Sequence, residues 1–207
     1  MSRGSLFVLS GPSGSGKDTI LHAFLAKHPE VKFSISSITR SMRPGETEGE
    51  KYHFIARETF EQMVRDGQML EYAEYCGNYY GTPRRPIEEW LEQGLTVLVE
   101  VDVQGAAQIH AAMPEAIRLF VMPPSMGVLR RRLLGRATES EEVAAARLAQ
   151  AVNEIECGKQ YDYIIINDVL EDAVDTLSGI VESEKVRTSR MLSWINEVLK
   201  DAESVDR

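Results

Sequence analysis

The sequence predicts an α/β fold: a five-stranded parallel sheet flanked by helices and interrupted once by a small inserted domain. Three observations predict it. Short apolar runs alternate with segments of helical period along most of the chain, the order that packs helices onto a parallel sheet. Several of those runs are apolar at nearly every position, as strands covered on both faces must be. Residues 34–84 break the alternation, with aromatic-rich pieces and glycine turns where the strand–helix repeat should continue.

Leu6 to Leu9 form the first strand, halted by a Gly/Ser/Pro cluster. Ile20, Leu21, Phe24 and Leu25 then recur at helical spacing. Phe33 to Ser37 read as a second strand, followed by a polar, turn-prone stretch through Gly49. A short helix spans Arg57 to Arg65, and Pro86 to Gln93 form another with Gly94 as its stop. Thr96 to Val103 are β-branched and apolar apart from Glu100 and Asp102, the pattern of a buried strand. Next come a helix over Ala106–Met113 and a strand over Leu119–Met122 ended by Pro123 and Pro124. Helices over Val128–Leu134 and Glu141–Glu156 follow, then a strand over Tyr163–Ile166 and one long helix from about Asp172 to Leu199. The division this suggests is a core of residues 1–33 and 85–207, with a helical lid at about 126–157, and an insertion at 34–84.

The chain has 207 residues, 43% of them hydrophobic, with 32 acidic against 23 basic side chains and a net charge of -9. A chain this long buries roughly 70% of its unfolded surface, so a sizeable core is expected. Two cysteines make no disulfide scaffold, which points to a reducing compartment. No apolar run reaches the ~20 residues of a membrane span, and Met1 to Ser5 do not read as a signal peptide. The acidic balance argues against a nucleic-acid partner. The expectation is a cytoplasmic protein with small-molecule partners and no membrane partner.

Gly11-Pro12-Ser13-Gly14-Ser15-Gly16-Lys17 matches G-x-x-x-x-G-K between a predicted strand and a predicted helix, the context that the phosphate-binding loop requires. Glycines let successive backbone N–H groups turn toward one anion, the helix N-terminus adds positive potential, and the lysine reaches the terminal phosphates. The residue after the lysine is usually Ser or Thr, a magnesium ligand; here Asp18 and Thr19 follow. Either Asp18 through water or Thr19 through its hydroxyl could serve the metal.

Ser36, Ser37, Arg40 and Arg43 lie in one short segment, and two arginines beside hydroxyls suit a second phosphate. Tyr52 follows in Gly-Glu-Lys-Tyr-His-Phe, and Gly-Asn-Tyr-Tyr-Gly-Thr ends at Thr82. With Asp102-Val-Gln-Gly105, Pro-Pro-Ser125 and Ile166-Asn167-Asp168, these motifs run in an order that closely resembles the guanylate kinase family over roughly residues 5–190. The resemblance implies a P-loop NTPase core and makes the insertion a GMP-binding domain with a small mixed or antiparallel sheet. It implies GMP phosphate ligands at Arg40, Arg43, Tyr52 and Tyr80, and guanine contacts at Ser36, Glu71, Thr82 and Asp102. A carboxylate such as Glu71 suits the N1–H and N2 donors of guanine, and the hydroxyls of Ser36 and Thr82 suit its O6. Asn167 becomes an adenine-side contact.

Arg130-Arg131-Arg132, Arg136 and Arg147 form the densest basic stretch, around a break rich in Thr, Glu and Ser. By the same resemblance this is a lid over ATP, with Arg132, Arg136 and Arg147 joining Lys17 and Arg40 as the catalytic set. Ala137 stands where the family has glycine, which bears on lid geometry. The reaction implied is transfer of the γ-phosphoryl group of ATP, with Mg2+, to GMP or dGMP, in guanine nucleotide synthesis and recycling. Two alternatives stay open at this level: a P-loop kinase for another acceptor, such as AMP or a sugar phosphate, and a related module that binds phosphopeptides without chemistry.

Overall fold

In the computed structural model, which describes residues 3–134 and 141–205, β1 (Ser5–Ser10) is buried at every position. It lies between β7 (Thr96–Glu100) and β8 (Ile117–Met122), parallel to both, with β2 (Lys32–Phe33) and β9 (Tyr163–Ile166) at the edges. All five strands are parallel, in the order β2-β7-β1-β8-β9. Alternate residues of β1 enter different cores, because side chains of a strand alternate in direction. Leu6 and Val8 pack with Leu91, Val97, Val99 and Ile109 beneath α3 (Arg84–Glu92) and α4 (Val103–Ala112). Phe7 and Leu9 pack with Ile20, Phe24, Leu119, Val121 and Leu177 beneath α1 (Lys17–Lys27) and α7 (Leu170–Lys185). Each such side chain contributes about 1.5–3 kcal/mol by burial. Truncating Phe7 to alanine would therefore cost roughly 3–5 kcal/mol at the centre of the sheet.

The chain does not keep Phe33 to Ser37 in one strand. Lys32 and Phe33 close the edge of the parallel sheet, and the Ser34 amide still donates to Leu98 O at 3.0 Å. Ser36–Ile38 (β3) then belongs to a second sheet with β4 (Tyr52–Phe54), β5 (Met69–Tyr75) and β6 (Asn78–Pro83), in the order β4-β3-β6-β5. β3 and β4 are parallel and the other pairs antiparallel. The β5–β6 hairpin turns on Cys76 and Gly77, both at positive φ (49° and 74°), as a two-residue turn matched to strand twist requires. Phe60 of α2 (Arg57–Arg65) is fully buried and stacks on Tyr79 at 5.2 Å.

Three further boundaries depart from expectation. β7 stops at Glu100 because Asp102 caps α4, its carboxylate accepting from the Gly105 amide at 2.8 Å; the cap overrides the strand propensity of Val101 and Val103. The single C-terminal helix is two, α7 and α8 (Thr188–Val205). Between them Arg187 turns back to pair with Glu184, which is 2% exposed and also accepts from the Tyr163 hydroxyl. No glycine or proline marks that break. α3 begins at Arg84, two residues before Pro86, which sits in the first turn where its missing N–H costs nothing. α5 (Met126–Leu134) and α6 (Glu141–Cys157) share a small core of Leu129, Leu133 and Ala151. Among the described residues no helix is long and apolar enough to cross a membrane.

Candidate active site

The loop that leaves β1 is built by close approach. A Cβ at Gly11 would lie 2.4 Å from Val121 O, and one at Gly16 would lie 2.2 Å from Asn167 Nδ2, with φ at 92°. Only glycine fits there. Gly16 also begins α1 with no side-chain cap, leaving the first amides of the helix for an anion. Lys17 Nζ donates to Gly11 O at 2.8 Å and Pro12 O at 3.3 Å, which holds its ammonium over the loop.

Three other elements grip the same loop. Asn167, at the end of β9, donates from Nδ2 to Ser15 O at 2.7 Å. Arg132 of α5 donates to Ser15 O at 3.2 Å and Asn167 O at 2.9 Å. Arg147 of α6 reaches Ser13 Oγ at 2.7 Å, and Glu154 accepts from the Ser13 amide at 3.3 Å. The result is a cavity of about 470 Å3 lined by Ser13, Gly14, Gly16, Lys17, Asp18, Thr19, Arg132 and Asn167 among others. Asn167 thus borders the cavity, but its amide braces the loop. Arg136 and Ala137 lie outside the described residues.

A second cavity, of about 480 Å3, opens where the C-terminal ends of the core strands meet the small sheet. It is lined by Ser36, Arg43, Tyr52, Glu71, Tyr80 and Asp102, and by Glu100, Val101 and Tyr75, which the sequence reading left unassigned. Thr82 stands behind Glu71 and donates to its Oε1 at 2.6 Å. Glu71 is 7% exposed, and burial, with the nearby Asp102 charge, pushes its carboxyl up to about 7 against the pull of the Thr82 hydroxyl. A Cβ at Gly105 would meet Glu71 Oε2 at 2.9 Å, so the first turn of α4 packs directly on this carboxylate.

Arg40 is held by Glu46 through two bonds of 2.6 Å, NH1 to Oε2 and NH2 to Oε1. Its guanidinium lies 5.6 Å from the centre of the Tyr52 ring and 5.4 Å from that of Phe54. The hydrogen bonds from Arg40 and from the Arg43 amide hold the Glu46 carboxyl down at about 2. At the seam between the cavities, Asp18 and Glu100 line a common space with Lys51. Burial, then the Asp18 charge, pushes Glu100 up to about 7, while Asp18 stays below the usual carboxylate range.

Sequence reasoning missed Glu46, Glu100 and Glu154. A signal existed for two of them. Glu100 is a charge inside an otherwise apolar run, and Glu46 lies three residues after Arg43 in Arg43-Pro44-Gly45-Glu46, beside the two arginines already singled out. Glu154 gave none, since its contact with Ser13 depends on how α6 packs.

A glycine loop that leaves the first strand of a parallel sheet and ends in Lys17 at the start of α1, beside a substrate-sized cavity on an inserted sheet, defines a P-loop kinase. Comparison with known proteins narrows the class. The guanylate kinase family model matches residues 3–184. A guanylate kinase of Listeria monocytogenes is 49% identical over 200 residues, covering 96% of this chain and 97% of the relative. One of Oceanobacillus iheyensis is 44% identical over 199 residues, with the same coverage. The crystal structure of guanylate kinase from Anaplasma phagocytophilum superposes with a TM-score of 0.74 at 36% identity, over 91% of this chain and 90% of that one. The chain belongs to the guanylate kinase family.

Proposed function

We propose that the chain transfers the γ-phosphoryl group of ATP to GMP with ATP on the Gly11–Thr19 loop and GMP in the 480 Å3 cavity. The overall reaction is that of the family, giving ADP and GDP. The observation that carries the assignment of the two sites is Glu71: a carboxylate 7% exposed, backed by Thr82, in the wall of a cavity that also holds Arg43, Tyr52 and Tyr80. The buried carboxylate suits the N1–H and N2 donors of guanine, whereas adenine would place an acceptor, N1, against it. The arginine and the phenols suit the phosphate.

The attacking group is a GMP phosphate oxygen, already deprotonated at neutral pH, so no strong general base is required. Two polyanions must be brought together, and positioning with charge neutralisation supplies most of the catalysis. Lys17 neutralises the terminal phosphates of ATP. Arg40, made rigid by Glu46, and Arg43 take the GMP phosphate; Arg132, Arg147 and Arg136 close the charge around the transferred group. Ser36 and Asp102 complete the base contacts, and dGMP would be accepted as well. Enzymes of this family use ATP with a divalent metal, assigned here as magnesium. The oxygens of Asp18 and Thr19 are hard donors at the mouth of the loop and fit an ion that keeps several waters and phosphate oxygens. Bound there, it would neutralise charge on the β- and γ-phosphates. The 1–33 and 85–207 core and the 34–84 insertion then divide the work between donor and acceptor, in a protein acting on small molecules in the cytoplasm.

ATP carrying a γ-phosphate label, incubated with GMP, tests the assignment. The label is expected in the β-position of GDP; label released as inorganic phosphate with GMP unchanged would contradict it.

A further inference from the structure

We propose that Lys51 is a positioning residue for the GMP site: through Asp18 it ties the insertion to α1 and so holds the two walls of the GMP cavity at their working separation. The proposal rests on the assignment of the two cavities above.

Those walls come from different parts of the chain. Ser36, Tyr52, Glu71 and Tyr80 belong to the inserted sheet, and Glu100, Val101 and Asp102 to the end of β7 and the cap of α4. On one side the insertion is fastened. β6 runs directly into α3, and Gln108 of α4 exchanges two bonds with the Tyr72 main chain, Nε2 to O at 3.0 Å and N to Oε1 at 3.2 Å.

On the other side lies a further cavity of about 450 Å3, between Leu21, His22 and Phe33 of the core and Glu46, Lys51 and Phe54 of the insertion. Here the two parts face each other across space rather than packing. Lys51 Nζ crosses to Asp18 Oδ2 at 3.2 Å, and Asp18 lines this cavity together with Glu100. The bridge thus starts at the chain neighbour of one wall residue, Tyr52, and ends on Asp18, which shares the lining of this cavity with another, Glu100.

A ligand that touches both walls binds more weakly if it must also restrict their relative motion. A tether that restricts it beforehand lowers that cost. Asp18 also lines the ATP-side cavity but no residue of 34–84 does, so removing the Lys51 end of the tether should act on GMP. Asp18→Asn should also weaken ATP and its metal, and serves only as the background in which the Lys51 effect on GMP is read. Lys51 and Asp18 are 52% and 54% exposed, and a pair that open is weakly coupled, so the effect is about two- to fivefold on GMP affinity.

The test uses the full chain carrying Lys51→Met, Lys51→Arg, Asp18→Asn, and Lys51→Met with Asp18→Asn. GMP binding is followed by calorimetry without ATP, and KM and kcat for both nucleotides in the steady state. Lys51→Met should weaken GMP two- to fivefold, with kcat and the KM for ATP unchanged. Lys51→Arg should restore GMP binding, and Lys51→Met should add nothing in the Asp18→Asn background. Wild-type GMP affinity in Lys51→Met would overturn the proposal. So would an equal loss in the Asp18→Asn background, because the lysine would then act on the GMP charge directly. A wild-type chain that binds no GMP would overturn the substrate assignment itself, a separate and recognisable failure.

Discussion

Glu71→Gln removes one charge and turns one acceptor into a donor at the point where guanine is read. A hydrogen bond to a charged group is worth about 1.5–3 kcal/mol, so kcat/KM for GMP should fall about 10- to 150-fold, with the KM for ATP within about twofold. The free protein should respond in the opposite direction. Burial raises the Glu71 carboxyl from 4.5 to about 7, so between those values the folded state holds a proton that the unfolded state has lost. The associated stability is complete below about pH 4.5 and is lost as pH rises through about 7, a change on the order of 3 kcal/mol. Glutamine stays neutral throughout. Glu71→Gln should therefore melt near the wild-type temperature at pH 4 and on the order of 5–10 °C above it at pH 8. GMP, which needs the ionised carboxylate, should bind the wild type more weakly below pH 7 and release a proton on binding; in the variant both effects should shrink by the share of Glu71, leaving those of Glu100 and of the GMP phosphate. Steady-state kinetics with each nucleotide varied in turn, and thermal unfolding at pH 4 and 8, measure all of this. An unchanged KM for GMP, or equal rises for both nucleotides, would refute the guanine role.

Lys17→Ala should lower kcat by 10²-fold or more, the order seen when one preorganised charge-stabilising donor is removed, and retention of full activity would contradict the role of the loop. Glu46→Gln frees Arg40 from its fork and should raise the KM for GMP on the order of tenfold while the KM for ATP stays put, as separate titrations of each substrate would show. Asn167→Ala takes one of two donors from the buried Ser15 carbonyl, Arg132 keeping the other, and should cost roughly 0.5–1.5 kcal/mol, read as a melting temperature about 1–6 °C lower. Chelating magnesium with EDTA should stop turnover yet leave GMP binding intact in calorimetry; turnover that persists would remove the metal from the assignment.

The parallel core was legible because its signals are local. An apolar run ended by a glycine loop, and an apolar run ended by two prolines, identify β1 and β8 without any partner in view. The break between α7 and α8 was not legible, since it depends on Arg187 folding back onto Glu184, a contact that exists only once Tyr163 and α7 have packed. The split of 33–37 was hidden for a similar reason: Phe33 and Ser36 are each extended, and only the sheet that each joins separates them. Among site residues, Lys17 and the glycines announce themselves by spacing. Glu71, Thr82 and Asp102 do not; the family resemblance singled them out, and the hydrogen bond from Thr82 to Glu71 and the approach of α4 give them a physical setting. Lys51 lies within the Gly-Glu-Lys-Tyr-His-Phe segment, but there Tyr52 was the residue singled out and nothing local marked the lysine. Its contact with Asp18 joins residues 33 positions apart across the seam.

Acceptor choice bears most directly on the reading of the second cavity as a guanine site. With ATP saturating, kcat/KM is measured for GMP, AMP, CMP and UMP. A site whose buried carboxylate must be matched by donors should prefer GMP by on the order of 10⁴. AMP used as well as GMP, or better, would contradict it.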